Sequence, residues 1–383
     1  MIFDARLNKL IGRNQFATHN RIEVSADALR HNIELMHSIT QQQVIPVLKA
    51  NAYGHGIAQV AQALNHMTPP IMYVAVDGYH EALQVRKVSR LPVLIMGKIK
   101  PANFKSMRLD DFAFVVSDAQ TIQALAAVGR RIAVHLELNT GMNRYGATQA
   151  EALELAKQIK QSPSLELAGV MSHLADSDGS DQATIDEAVD RFDAWVASIE
   201  ALVGTIPHRH IAQTAGSVRA HSRTANAIRL GIGLYGINPF AKDHPARMLL
   251  QGLQPALRFV STITAVHGLQ PGEGVGYNYQ FRATRPTRMA VLPVGYYEGL
   301  PYQLGNRGVL RGSNHDLPIA GKVCMNHCMI DITQTDLKVG DEVIVISDNL
   351  DCRNTVQAFG DDNQLFPYAI LVQLSSATRR LLV

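Results

Sequence analysis

The sequence predicts an α/β chain, a (β/α)8 barrel of the TIM type over residues 1–244 followed by a mainly β domain over residues 245–383. Two observations lead there. Between Ile22 and Gly236, eight short apolar runs alternate with amphipathic stretches, the pattern of parallel strands each followed by a covering helix. Past Gly236 the helical period all but disappears, and short alternating runs take over, separated by Pro, Gly, Asn and Asp. An open doubly wound sheet is the competing frame. It more often carries a Gly-x-Gly-x-x-Gly turn after its first strand, and none follows here.

In chain order, a helix is expected over 25–38, then strands at 44–49, 71–76, 92–97, 112–116, 132–138, 167–173, 209–213 and 227–232. Helices fill the intervals at 55–66, 79–87, 118–128, 148–161 and 182–203, with Ser117-Asp118 and Asp181 as capping chemistry. The β domain is read from the runs Leu257–Val266, Arg288–Pro293, Gly308–Leu310, Leu317–Ala320, Cys328–Ile332 and Glu342–Ile346.

Composition narrows the class. At 383 residues, with 46% hydrophobic and 18% charged residues, the chain has the makings of a soluble two-domain enzyme. A formal charge of +3 without runs of like charge argues against nucleic acid as a partner. No stretch approaches the roughly 18 apolar residues of a membrane span, and Met1 to Asn20 lacks the apolar core of a signal peptide, so a cytoplasmic protein is expected. Three cysteines suit a reducing compartment, and Cys324 and Cys328 have no companion pair to complete a zinc site, so no metal is expected.

The chemistry belongs at strand ends, where the loops of a barrel converge. The first strand delivers Lys49, with Tyr53 one turn on. An amine that condenses with an aldehyde must be neutral, and holding a lysine of pKa ~10.4 neutral at pH 7 requires roughly 4–5 kcal/mol of bias from its surroundings. A surface lysine after an edge strand is the plain alternative on this motif alone. The other strand ends decide the matter. The fifth runs into Glu137 to Arg144, the sixth ends at His173, the seventh at Gln213 to Ser217, and the eighth carries Arg229 to Gly233. Thr214 to Ser217 opening a short helix and the bare amides of Gly231-Ile232-Gly233 can hold a phosphate. Each residue alone has an ordinary explanation: a core histidine, a salt-bridging arginine, a packing tyrosine. Their convergence on one rim points to pyridoxal phosphate.

The blocks Val47–Gly56, Thr140–Gly146, Arg229–Gly236, Gly274–Tyr277, Pro293–Gly299 and Gly321–Asn326 give the chain a resemblance, over nearly its whole length, to fold-type III alanine racemases. That resemblance implies a dimeric pyridoxal 5'-phosphate enzyme interconverting L- and D-alanine, with D-alanine serving cell-wall peptidoglycan. It implies Lys49 as cofactor anchor and base on one face, and Tyr277 of the partner subunit as base on the other. It also implies Arg229 on the pyridine nitrogen, His173 beside the ring, and His210 supporting Arg229. Tyr53, Thr214, Gly231 and Ile232 would hold the phosphate, and Arg144 with the partner subunit's Met325 the substrate carboxylate. Six positions depart from the family pattern, among them Gln213-Thr214, where Asn-Ser is usual, and Ser376, which is tyrosine in some members and is expected to leave a roomier pocket. Glu137 stands where many members carry a carbamylated lysine, and is expected to pair with Arg144 directly. Asn139 and Asn326 replace aspartates, the latter beside the partner tyrosine. These changes leave racemisation as the expectation and open serine or broader amino-acid specificity. A decarboxylase of the same architecture would place an acid where Arg229 stands, and a non-catalytic pyridoxal phosphate carrier would lack the β domain.

Overall fold

The computed structural model describes residues 17–65, 67, 71–109 and 112–383; most of the N-terminal stretch read above for a signal peptide, and the final residue of the helix expected to reach 66, lie outside them. The chain divides into two compact units, one holding Val24–Leu257, Gln364–Val372 and the last two residues, the other Arg258–Asn363, Gln373–Leu381 and the segment ending at Glu23. Among the described residues, no helix is long and apolar enough to cross a membrane.

In the first unit eight parallel strands close into a barrel. With β1 (Asn20–Val24) belonging to the other unit's sheet, these are β2 (Gln43–Pro46), β3 (Val74–Val76), β4 (Val93–Ile95), β5 (Phe112–Val116), β6 (Ile132–Glu137), β7 (Leu165–Met171), β8 (His208–His210) and β9 (Ala227–Leu230). Six pair in sequence from β3 to β8, and β2 pairs with β9. Parallel bridges Val47–Ala75 and Gln213–Arg229 join the two sets and complete the ring. Covered on both faces, strands such as Phe112-Ala-Phe-Val-Val116 are buried at every position, which is why they read as continuous apolar runs.

Helices α1 (Ala26–Thr40), α2 (Ile57–Leu64), α3 (Tyr79–Val88), α4 (Ala119–Ala126), α5 (Gln149–Gln161) and α6 (Gln182–Val203) surround the barrel. The capping residues act as their chemistry requires: Asp118 accepts from Thr121 N–H at 2.8 Å and Asp181 from Ala183 N–H at 2.9 Å. Strands end earlier than the apolar runs suggest. β2 stops at Pro46 and β7 at Met171, so Lys49 and His173 stand on the loops just beyond. After β4 and β8 the crossovers are 3₁₀ turns, Pro101–Lys105 and Gly216–Val218, in place of full helices.

The second unit is mainly β. Its six-stranded sheet runs β16-β15-β18-β10-β1-β19, drawing on β10 (Leu257–Thr262), β15 (Val309–Gly312), β16 (His315–Pro318), β18 (Glu342–Ile346) and β19 (Arg379–Leu382). A three-stranded sheet orders β11 (Ala265–Leu269), β14 (Thr287–Leu292) and β17 (Cys328–Asp331), and β12 (Gly274–Val275) pairs with β13 (Phe281–Arg282). The run Leu257–Val266, read as one strand, is two: Ile263 N–H turns to Asp341 O and Thr264 N–H to Val291 O, and the chain changes sheets there. Two helices were not visible in the sequence, α7 (Val356–Asn363) in this unit and α8 (Pro367–Val372) in the barrel unit.

One pin holds the barrel's exit. Buried Asn32 on α1 donates to Leu234 O at 3.0 Å and Gln254 O at 2.8 Å and accepts from Gln254 N–H at 2.8 Å. Gly236 closes the turn between those strands of chain at φ +79°, where an added Cβ would run into the Gln254 carbonyl. Backbone atoms cannot swing aside as a side chain can. Gly236→Ala is therefore expected to destabilise the barrel by about 3 kcal/mol or more, read as a lowered denaturation midpoint; an unchanged midpoint would refute this account.

Candidate active site

Lys49 opens the loop after β2, and that loop has an unusual backbone. Ala50, Asn51, Ala52 and Tyr53 all take positive φ, between 49° and 55°, forming a left-handed turn that Gly54 closes at +79°. Each L-residue held there costs roughly 1–2 kcal/mol. Part of this is offset locally: Ala52 N–H reaches Leu48 O at 2.9 Å, Gly56 N–H reaches Asn51 O at 2.9 Å, and the Asn51 side chain accepts from Ile57 N–H at 3.0 Å. The last bond caps α2. Burial, aided by the Arg144 and Arg229 guanidiniums, pushes the Lys49 amine below its ordinary pKa, against the opposing pull of Asp77 and Glu81.

The turn delivers Tyr53 into the barrel, where it packs 5.1 Å from the ring of Tyr235 and 6.2 Å from that of Tyr368 on α8. Burial raises its phenol to about 12. Tyr235 is a buttress: fully buried, it donates its hydroxyl to Val47 O at 2.8 Å. The Tyr53 hydroxyl lies where a Cβ on Gly231 would come within 2.8 Å of it, so any larger residue there would have to displace the tyrosine hydroxyl. The Thr214 hydroxyl, also buried, accepts from Gly233 N–H at 3.2 Å. Two hydroxyls, a bare Cα and the Ile232–Tyr235 turn thus make a small polar cradle.

Arg229, on β9, is the buried cation of the barrel core. Its Nη1 donates to His210 Nδ1 at 2.7 Å and His210 O at 3.0 Å; Nη2 donates to Ser172 O at 2.6 Å, Ile211 O at 3.0 Å and His173 Nδ1 at 3.1 Å. Among the described residues its Nε–H has no partner, and that is the donor left for a ligand. Burial lowers the guanidinium to about 10, still fully protonated at neutral pH. Arginine cannot accept a hydrogen bond, so both imidazoles must face it with a lone pair. His210 then carries its proton on Nε2, which donates to His135 Nδ1 at 2.8 Å, and His135 in turn is protonated on Nε2. Three neutral histidines follow. Burial first, then Arg229, holds His173 at about 3; burial, then His208 and Arg229, does the same for His135, and His210 lies well below its ordinary value.

The remaining residues fall in two groups. Asn139 organises the loop to Arg144 by accepting from Gly141 and Asn143 N–H at 3.3 and 3.0 Å. Gln213 holds the loop after His173 through Leu174 O at 3.2 Å and Ser177 Oγ at 2.5 Å. The expected Glu137–Arg144 ion pair is not formed. Glu137 ends β6 buried in the barrel wall beside Lys98 and Asp118, while Arg144 stands exposed on its loop, and the carboxyl is raised by burial despite the pull of Arg229, Arg144 and Lys98. Tyr277, Met325 and Asn326 lie in the β unit. Tyr277 is 69% and Met325 56% exposed, and Asn326 donates to Glu298 at 2.9 Å. Tyr235 takes the packing place that its sequence reading allowed; sequence reasoning missed His135, Ser172 and Glu81, and of these only Glu81 carried a signal, an acid three residues after Gly78 at a helix start.

The neutral imidazoles have a measurable consequence. Between about pH 6.5 and about 3 His173 and His135 bind a proton only when the chain unfolds, and His210 acts in the same direction, so stability falls as pH drops through that window, by ~1.4 kcal/mol per pH unit for each histidine that stays neutral in the fold. Denaturation at pH 6 and pH 5 should show this slope, and His135→Asn should reduce it by the share of one histidine. A slope unchanged in the variant would contradict the assigned protonation.

Comparison with known proteins agrees with this architecture. The family model for the alanine racemase N-terminal domain matches residues 24–239, and that for the C-terminal domain residues 256–382. An alanine racemase of Sorangium cellulosum is 34% identical over 340 residues, 85% of this chain and 88% of the relative. The solved alanine racemase of Clostridium difficile 630 superposes with a TM-score of 0.87 at 24% identity, covering 96% of this chain and 97% of that one. That of Bartonella henselae, solved with covalently bound pyridoxal phosphate, gives 0.80 at 22% identity over 96% and 100% of the two chains. Two family models that together span nearly the whole described chain, and a relative at this identity and coverage, place this protein in the alanine racemase family.

Proposed function

We propose that this protein racemises alanine with pyridoxal 5'-phosphate held at the barrel mouth, using Lys49 and the partner subunit's Tyr277 as two bases, and so supplies D-alanine for cell-wall peptidoglycan in the cytoplasm. The observation that carries this reading is Arg229, whose one donor without an acceptor among the described residues is an Nε–H on the same rim as Lys49 and His173. The fit of the cofactor rests on the cradle: the Tyr53 and Thr214 hydroxyls, the bare Cα of Gly231 and the turn from Ile232 offer the polar groups that a phosphate requires. When bound, the cofactor supplies an electron sink for the pair left as Cα loses its proton.

The chain's own groups do the rest. Lys49 is biased toward a neutral amine that can take up a proton at Nζ. Arg229 can only donate, so a ring nitrogen facing it stays unprotonated; a decarboxylase would need an acid there. Racemisation needs a second base on the opposite face, because one base tends to return the proton where it came from. Tyr277 suits that part through a second copy. Alone in the chain, it is exposed with Tyr279, Tyr296, Tyr297 and Met325 on the β unit, more large apolar surface than one copy needs to show. Arg144, without an ion pair among the described residues, is available to a substrate carboxylate.

Incubation with single L- and D-alanine in D₂O should place deuterium at Cα from both enantiomers; release of CO₂ would point to a decarboxylase, and no exchange to a carrier. Serine and a longer amino acid run alongside would set the breadth of specificity. Tyr277→Phe and Lys49→Ala should each lower racemisation by about 10²-fold or more. Mixed under conditions of subunit exchange, the two variants should recover activity, since one hybrid site then holds both bases. No recovery would reject the shared site.

A further inference from the structure

Glu81, on α3, acts above only as a distant charge on Lys49, yet its carboxylate is tied to the strained turn that carries the lysine. Its Oε1 accepts the Ala50 N–H, the first amide after the lysine, at 2.7 Å. Its Oε2 accepts Asp77 N–H at 2.8 Å and Gly78 N–H at 3.3 Å. The second pair is ordinary capping of α3. The first is not. It reaches 31 residues back in the chain, across from the loop after β3 to the loop after β2. Four consecutive L-residues in left-handed conformation do not persist without external restraint; the Ala52 and Gly54 amides find acceptors inside the turn, Leu48 O and Ala50 O, whereas the Ala50 amide is held by this carboxylate from another element.

We propose that Glu81 is a positioning residue, a carboxylate clamp that fixes the left-handed turn and thereby the direction in which Lys49 leaves the barrel rim. The inference rests on the reading of Lys49 as the cofactor-bearing amine. Glutamine does not replace Glu81 well, because one end of an amide donates: whichever way it is turned, either Ala50 or the Asp77–Gly78 pair faces another N–H. Glycine at 50 and 52 should partly relieve the need for the clamp, since glycine takes positive φ without strain.

The test uses the full-length protein with Glu81→Ala, Glu81→Gln, and Glu81→Ala combined with Ala50→Gly and Ala52→Gly. Three quantities are read: the dissociation constant for pyridoxal 5'-phosphate, kcat per loaded site, and hydrogen exchange of the peptide spanning residues 47–57. Both single variants should weaken cofactor binding and lower kcat per site by about tenfold, the usual loss on removing a charged acceptor, and should lose exchange protection in that peptide. The glycine-bearing variant should regain part of both losses. A lower melting temperature with unchanged cofactor affinity, kcat and local exchange would show that Glu81 only caps α3 and would overturn the proposal. So would glycines that deepen the defect. If the unmodified protein takes up no cofactor, the proposed function fails, and local exchange alone still decides the role of Glu81.

Discussion

A guanidinium sealed inside the barrel is the constraint around which the site is arranged. Burying a cation is tolerable only when its donors are satisfied, and the Nη hydrogens of Arg229 are met by three carbonyls at the ends of β7 and β8 and by two imidazoles. Because the group has donors and no acceptor, each neighbour's protonation is dictated outward from it. His173 and His210 offer lone pairs, His135 receives the proton that His210 cannot point at arginine, and no second positive charge forms beside the first. The loops after β7 and β8 are thereby fixed to β9, and the rim keeps one directed N–H.

Much of this frame was legible because parallel barrel strands are buried on both faces and read as plain apolar runs between amphipathic helices. Strand 112–116 and helices 79–88, 149–161 and 182–203 stand within a residue of where periodicity puts them. Legibility failed where a contact depends on closure. His135 reads as an interior strand residue; only the ring brings it to 2.8 Å from a nitrogen 75 positions away. β1 and β19 come from opposite ends of the chain, and no local pattern announces that they are neighbours in one sheet. The Glu137–Arg144 pairing is what the family resemblance suggests, with Glu137 standing where many members carry a carbamylated lysine. It fails because the last strand residue is buried in the barrel wall while the loop, folded on Asn139, holds its arginine in solvent.

The electrostatics of the barrel mouth follow from the same residues. Burial depresses both the Lys49 amine and the Arg229 guanidinium, with a smaller contribution from Arg144 to each, while Asp77 and Glu137 pull the other way. The cations there favour the approach of phosphates and carboxylates, and Asp77, Glu81 and Glu137 limit the excess of positive charge.

The turn after Lys49 also bears on which sequences this fold can tolerate. Asn51 has two duties at once: its backbone sits at φ +55°, and its side-chain oxygen caps the next helix through Ile57 N–H. Glycine could take the backbone but has no oxygen to offer. Serine or threonine could cap but resists the conformation. Only asparagine, with aspartate at the cost of an added charge beside the lysine, meets both demands. Position 51 is therefore an evolutionary bottleneck set by geometry, one that drift in the surrounding barrel cannot relax without rebuilding the whole loop.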